Sequence, residues 1–293
     1  MNIEKNNYTI NSINKDIGKI KIMMFSDIQY KRNFCLNKLN YIVKKAKKKT
    51  PDYICIPGDL IDNSCVVNSA LDREILIDWL RYLSEVAKVI ISIGNHDIMH
   101  KVDNKWQLHI NEEWFSDINK LSNVVLLRNS IYEDNKCRFI GFNPSFEHYE
   151  KDKEEVISFL IELNEAFPNI VDNDLYNIML CHTPTNIFKN DVIKYSPVLK
   201  NVDLVFSGHI HGGLTLPLIR KYLGNNQGFI DPNGRFFPDI AHGIIEKSNL
   251  TGVISTGVTK LGESTGLLEK LNFLFPMNIN YIEIENDIKT KKF

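Results

Sequence analysis

The run VDLVFSGHIHGG, residues 202–213, decides how the rest of the chain is read. Apart from Asp203, Val202 to Phe206 is apolar and too short for a helix. It stops at Ser207-Gly208 and then delivers two histidines, His209 and His211. That composition and brevity suit a strand covered on both faces. Outward from it the same design recurs in IKIMMF (20–25), DYICIP (52–57), KVIISI (88–93), NVVLL (123–127), CRFIGF (137–142), YNIMLC (176–181), TGVIST (251–256) and NYIEIE (280–285). Amphipathic stretches lie between them. Leu36, Leu39, Ile42, Val43 and Ala46 share one helical face, with the lysines of KKAKKK on a solvated face before Pro51. A second helix is predicted over 70–86 with Leu76, Trp79, Leu80 and Leu83 inward, and a third over roughly 152–166. Residues 212–250 are rich in Gly, Pro, Asn and aromatics and read as a long ordered loop region that shapes a pocket. The pattern is that of a layered α/β domain, taken as a single unit over 1–293 with its core at about 20–285.

Composition narrows the function classes. The 293 residues are 43% hydrophobic and 24% charged, which excludes a disordered or fibrous chain. With 35 Lys+Arg against 36 Asp+Glu there is no global electrostatic case for nucleic acid or anionic lipid. No apolar stretch reaches the roughly 18 residues of a membrane span, and MNIEKNNYTINSINKD lacks the apolar core of a secretory signal. The expectation is a cytoplasmic protein. Five cysteines without a CxxC pair argue against a disulfide framework or a thiolate zinc knot, and Cys181, inside NIMLC, reads as packing.

The strand ends carry the chemistry. In open α/β sheets ligands gather beyond the carboxyl ends of strands. Here those ends read Ser26-Asp27-Ile28-Gln29, Gly58-Asp59-Leu60-Ile61-Asp62, Gly94-Asn95-His96-Asp97, His182-Thr183-Pro184 and Gly208-His209-Ile210-His211-Gly212-Gly213. In an extended segment residues i and i+2 point the same way, so Asp27 would converge with Gln29, and His209 with His211. Carboxylates, amide oxygens and imidazoles form a mixed O/N set suited to Mn, Fe or Zn. The inventory exceeds one ion and fits two, about 3.5–4 Å apart with a bridging carboxylate. Asp97 reads as structural, and His100 and His109 as surface residues. Tyr30 and Arg32 are candidate substrate contacts, and His242 is a candidate pocket residue more readily explained by a structural role.

Asp27-x-Gln29, Gly58-Asp59-x-x-Asp62, Gly94-Asn95-His96-Asp97, His182 and Gly208-His209-x-His211 together resemble the ordered motifs of the calcineurin-like metallophosphoesterases. The final Gly-Gly and a later Ser-Thr-Gly are similar to the small bacterial YaeI-like branch, which includes phosphodiesterases and UDP-diacylglucosamine pyrophosphohydrolases. The resemblance implies a four-layer αββα sandwich of two mixed β-sheets flanked by helices. It implies two divalent metal ions, Mn foremost with Fe, Zn or Mg as alternatives. Asp59 would bridge them, Asp27 and His211 with Gln29 would hold the first, and Asn95, His182 and His209 the second. His96 would be the catalytic acid and Asp62 would orient it. The implied activity is hydrolysis of a small-molecule phosphodiester or nucleotide pyrophosphate, a UDP-linked acylated sugar among the options, by a dimetal-activated hydroxide. The chain departs from the family at Gln29, where histidine is usual. It departs from the branch at Leu214, where glutamine is common. The other reading is a non-catalytic metal-bound scaffold on the same fold. The apolar segment 267–276 and Phe229, Phe236 and Phe237 raise a peripheral membrane or acyl-chain contact. The oligomeric state stays open.

Overall fold

The structure, a computed structural model, describes residues 3–12, 15–32, 34–103, 105–149, 156–171, 173–220, 222–231, 234–259 and 274–286. Two six-stranded sheets dominate it. The first runs in the order β1 (Ile3–Ser12), β14 (Met277–Asn286), β2 (Lys19–Met24), β3 (Tyr53–Pro57), β4 (Lys88–Ser92), β7 (Val124–Leu127). From β2 to β7 the strands are parallel; β14 lies antiparallel to β2 and parallel to β1. The second sheet runs β12 (Gly243–Lys247), β13 (Leu250–Ile254), β11 (Leu204–Ser207), β10 (Tyr176–Cys181), β9 (Cys137–Phe142), β8 (Ser130–Glu133). Its four central strands are parallel and its two edges antiparallel. A separate hairpin pairs β5 (Met99–Val102) with β6 (Lys105–Leu108).

Strand alternation sorts the side chains into layers. From β2 and β3, Ile22, Met24 and Cys55 point inward and meet Phe139, Ile178, Leu180, Leu204 and Phe206 of the second sheet. Their neighbours Met23, Ile54 and Ile56 point outward and are covered by α1 (Leu36–Lys49), α2 (Ala70–Ser84) and α3 (Glu112–Asn119) through Leu39, Ile42, Leu76, Leu80 and Trp114. On the other flank α4 (Val156–Ala166), α5 (Pro184–Ile187) and α6 (Asn190–Tyr195) cover Ile140, Met179 and Val205 with Phe159, Leu163, Ile187 and Val192. A short α7 (Pro217–Arg220) sits in the loop region. The result is helices, sheet, sheet, helices. Among the described residues no helix is long and apolar enough to cross a membrane.

All nine strands read from the sequence are present, and α2 and α4 fall inside their predicted ranges. Residues 152–155 of the third helix and 260–273, with most of the apolar segment 267–276, lie outside the described residues. Five strands escaped the reading: β1, β5, β6, β8 and β12. β1 (IEKNNYTINS) is mostly polar because it is an edge strand with one face in solvent, and its burial alternates residue by residue. It extends the first sheet well before residue 20 by pairing along its whole length with β14.

Candidate metal centre

The carboxyl ends of β2, β3, β4, β10 and β11 come together on one rim. Backbone hydrogen bonds tie their loops: Asp27 N–H to Gly58 O (3.2 Å), Gln29 N–H to Asp59 O (3.0 Å) and Gly208 N–H to His182 O (2.9 Å). The expected extended geometry is not what aims the side chains. Asp27, Gln29, Asp59, His209 and His211 all adopt left-handed backbone, with φ of 50°, 47°, 57°, 68° and 50°. Residues other than glycine resist this conformation, at a cost on the order of 1–2 kcal/mol each, and it persists only where the surroundings fix it. Five of the seven candidate ligands therefore sit in turns that throw their side chains toward one point. Glycine is required beside them, since a Cβ on Gly94 would collide with the Asp59 carboxylate and one on Gly208 with Ser26 and Asp27.

Asp27, Asp59 and His182 are each fully buried and offer ligand atoms within 4.8 Å of one another. His182 Nε2 lies 3.1 Å from Asp59 Oδ2 and 3.7 Å from Asp27 Oδ1. His211 Nε2 stands 3.7 Å from Asp27 Oδ1 and 3.4 Å from Gln29 Nε2. The His209 ring is 5.3 Å from that of His182, and its backbone N–H donates to Asp27 Oδ1 at 3.1 Å. Asn95 occupies the same turn as Gly94 and His96. Six of the seven are thus linked by direct contact, and Asn95 joins them through its neighbour His96, whose N–H donates to Asp59 Oδ1 at 3.0 Å.

The electrostatics call for positive charge here. Burial opposes a charge on His182, but the Asp59 and Asp27 carboxylates outweigh it and raise its pKa to about 9. Burial likewise opposes ionisation of Asp59, yet His182, His96 and His209 hold it well below the usual carboxylate range. His209, buried beside His182, is pushed well below the ordinary imidazole value and stays neutral, as a ligand must. His182 Nδ1 is 2.7 Å from Pro57 O and His211 Nδ1 is 2.9 Å from Thr259 O. Each carbonyl accepts a hydrogen bond from Nδ1–H and so turns Nε2 inward, the support that metal-ligating histidines usually have. Several buried side-chain atoms of the described residues make no hydrogen bond, and four of them belong to the candidate ligands: Gln29 Oε1, Asp59 Oδ2, Asn95 Oδ1 and His182 Nε2. Buried polar atoms usually have a partner, and a bound cation would supply one to these four at once. The residues fit divalent cations.

Around this set stand the expected catalytic pair and several residues the sequence did not single out. His96 Nδ1 lies 2.5 Å from the backbone oxygen of Asp62, so Asp62 reaches it through its carbonyl. Trp106, on β6, meets the His96 ring edge-on at 5.3 Å. Tyr149 packs against His209 (5.1 Å) and His182 (6.1 Å). It follows the end of β9, so the strand-end rule applied to CRFIGF would have found its loop. Trp106 had no such signal. Asp97 is structural, accepting backbone N–H groups from Asp59 and Leu60 (2.9 Å each), Ile61 (3.2 Å) and Gly94 (2.8 Å).

Tyr30, a candidate substrate contact, has its hydroxyl engaged inside the fold. It is buried and donates to Asp72 Oδ1 at 2.8 Å. Arg32 is exposed. His242 sits in the 212–250 loop, where its carbonyl accepts from Asn226 Nδ2 at 2.6 Å. His100 and His109 are half-buried and face each other at 4.8 Å, contrary to the surface reading. Cys181 is buried in the outer core of the second sheet, and burial pushes its thiol up to about 12.

The family model described as calcineurin-like phosphoesterase matches residues 20–213. An uncharacterized metallophosphoesterase of Campylobacter jejuni is 25% identical over 75% of this chain and 50% of its own length. A putative metallophosphoesterase of Caenorhabditis elegans is 27% identical over 69% of this chain and 38% of its own. A further uncharacterized metallophosphoesterase, from Helicobacter pylori, is 24% identical over 91% of this chain and 60% of its own. The chain therefore spans about half the length of the curated relatives it matches.

Proposed function

The chain belongs to the calcineurin-like phosphoesterase family, and we propose on that premise that it is a metal-dependent hydrolase of a small-molecule phosphodiester or nucleotide pyrophosphate. The observation that carries this reading is the buried Asp27–Asp59–His182 cluster, whose ligand atoms lie within 4.8 Å of one another. Residues 20–285 are taken as one catalytic unit, a view supported by Thr259 O holding His211 from beyond the matched span.

In this reading Asp27, Gln29 and His211 would hold one cation, Asn95, His182 and His209 the other, and Asp59 would contribute to both. Bound there, two divalent cations supply Lewis acidity for the phosphoryl oxygens and lower the pKa of water. Mn is the favoured metal, since the Gln29 amide oxygen is a harder, weaker donor than imidazole. The protein's own groups do the rest. With Nδ1–H donated to the Asp62 carbonyl, His96 keeps Nε2 for passing a proton to the leaving oxygen. Trp106 limits rotation of that ring, and Tyr149 shields His209 and His182 from water.

A UDP-linked acylated sugar is the leading alternative at the level of the individual substrate. Phe229, Phe236 and Phe237 support it: they cluster with ring centroids 5.8–6.3 Å apart and are 43%, 65% and 49% exposed, an apolar surface available to an acyl chain. The scaffold alternative is disfavoured by the presence of both His96 and the ligand set. Mn-loaded protein should hydrolyse bis-p-nitrophenyl phosphate, and His96→Ala should lower kcat by about 10²–10⁴-fold with metal content unchanged. Inert Mn-loaded protein, with Asn95→Ala and His96→Ala leaving its cellular role intact, would establish the scaffold instead.

A further inference from the structure

Apart from the rim, three side chains with metal-binding chemistry meet: Cys65, His100 and His109, with ligand atoms within 4.8 Å of one another. Their meeting is built by the fold. In the β5–β6 hairpin His100 pairs with Gln107, and His109 N–H donates to Ile98 O at 2.8 Å, extending the ladder by one residue. His100 and His109 are thus diagonal neighbours on one face, which is why their rings lie 4.8 Å apart. Ser64 N–H donates to Met99 O at 2.7 Å and brings the turn carrying Cys65 against the same hairpin. Ser64 Oγ is 2.9 Å from His109 Nδ1, the kind of outer partner that fixes the orientation of a ligating imidazole. His100 Nδ1 is buried and makes no hydrogen bond, and Cys65 is a free thiol.

One sulfur and two imidazole nitrogens form a borderline-soft set that suits Zn(II) or Co(II) and discriminates against Mg(II) and Ca(II). We propose that Cys65, His100 and His109 form a separate mononuclear site for zinc or a similar transition ion, with water or another small ligand completing its coordination. The assignment does not rest on the phosphoesterase reading. The ion would fasten the turn after Asp62 to the hairpin that carries Trp106, and so hold Trp106 against His96.

Cobalt is the discriminating probe, because the rim set contains no cysteine and cannot give a thiolate-to-metal charge-transfer band. Chelator-stripped full-length protein titrated with Co(II) should develop that near-ultraviolet band, saturating at one ion per chain. His209→Ala, on the rim, should keep it and Cys65→Ser should abolish it. Ser64→Ala should weaken binding about 10–100-fold. A folded wild-type chain without the band, or a band that survives Cys65→Ser, would overturn the proposal. Wild-type protein provides a test independent of variant folding: zinc should slow alkylation of Cys65, read by peptide mapping, and a rate indifferent to zinc would equally overturn it.

Discussion

Gln29 is where this chain departs from the histidine its family uses, yet it is buried beside His211 in the same left-handed turn as Asp27. If its amide is the weak ligand, Gln29→His should raise the Mn retained per chain after dialysis, and unchanged retention would remove Gln29 from the ligand set. His182 makes a pH prediction. Its pKa of about 9, set by Asp59 and Asp27 against burial, means that below pH 9 the ring binds a proton that an incoming cation must expel. Mn affinity should therefore fall about tenfold per pH unit per proton displaced as pH drops below 9, and level off above it. Titrations from about pH 6 to about pH 10 would show this, and a flat profile would contradict it. Asp97 is a different kind of residue, a clasp accepting four backbone N–H groups from the loops after β3 and β4. Asp97→Ala strands those donors in the interior, each worth about 1–3 kcal/mol when unpaired. The variant should lose several kcal/mol of stability, about 4 at the least, in urea unfolding of metal-free protein. These donors and acceptors were named from strand ends alone, because Asp, Asn and His after short apolar runs have few other uses in such number. Their left-handed turns were not legible, since the φ of Asp27 or His211 is imposed by neighbours distant in sequence.

At the scale of elements, most of the strands legible in the sequence were those buried on both faces. CRFIGF and YNIMLC, for example, are buried at every position. β1 was not, because alternate residues face solvent and the stretch reads as polar. Its place is fixed from the far end of the chain. Asn6 Nδ2 donates to Asn280 Oδ1 (3.0 Å), and Asn280 Nδ2 to Asn278 Oδ1 (2.8 Å), which also accepts from Thr256 N–H (3.2 Å). This chain of amides connects the edge strand to the loop packed on Asp27, and no local pattern could have announced it. Asn278→Ala should cost about 1–3 kcal/mol, since it leaves buried Thr256 N–H unpaired. A lower urea midpoint with unchanged m would bear this out, and an unchanged midpoint would show the amide chain to be dispensable.

Over the whole molecule, two sheets that each present parallel strands to one rim make the centre a junction between halves of the fold. Cations bound there link β2, β3 and β4 of one sheet to β10 and β11 of the other, so metal should stabilise the native chain by mass action, about 2.7 kcal/mol at a hundredfold excess over Kd. Tm should rise with Mn concentration and fall with chelator in wild type, and Asp59→Asn should blunt both responses; a Tm indifferent to metal would mean that the rim does not bind it in the folded state. The proposed centre requires seven side chains enclosing a pair of ions. Anomalous scattering from crystals soaked in manganese tests that most directly. Two peaks about 3.5–4 Å apart, both beside Asp59 and flanked by Asp27 and His211 on one side and His182 and His209 on the other, are the predicted result. A single peak, or peaks away from Asp59, would contradict it.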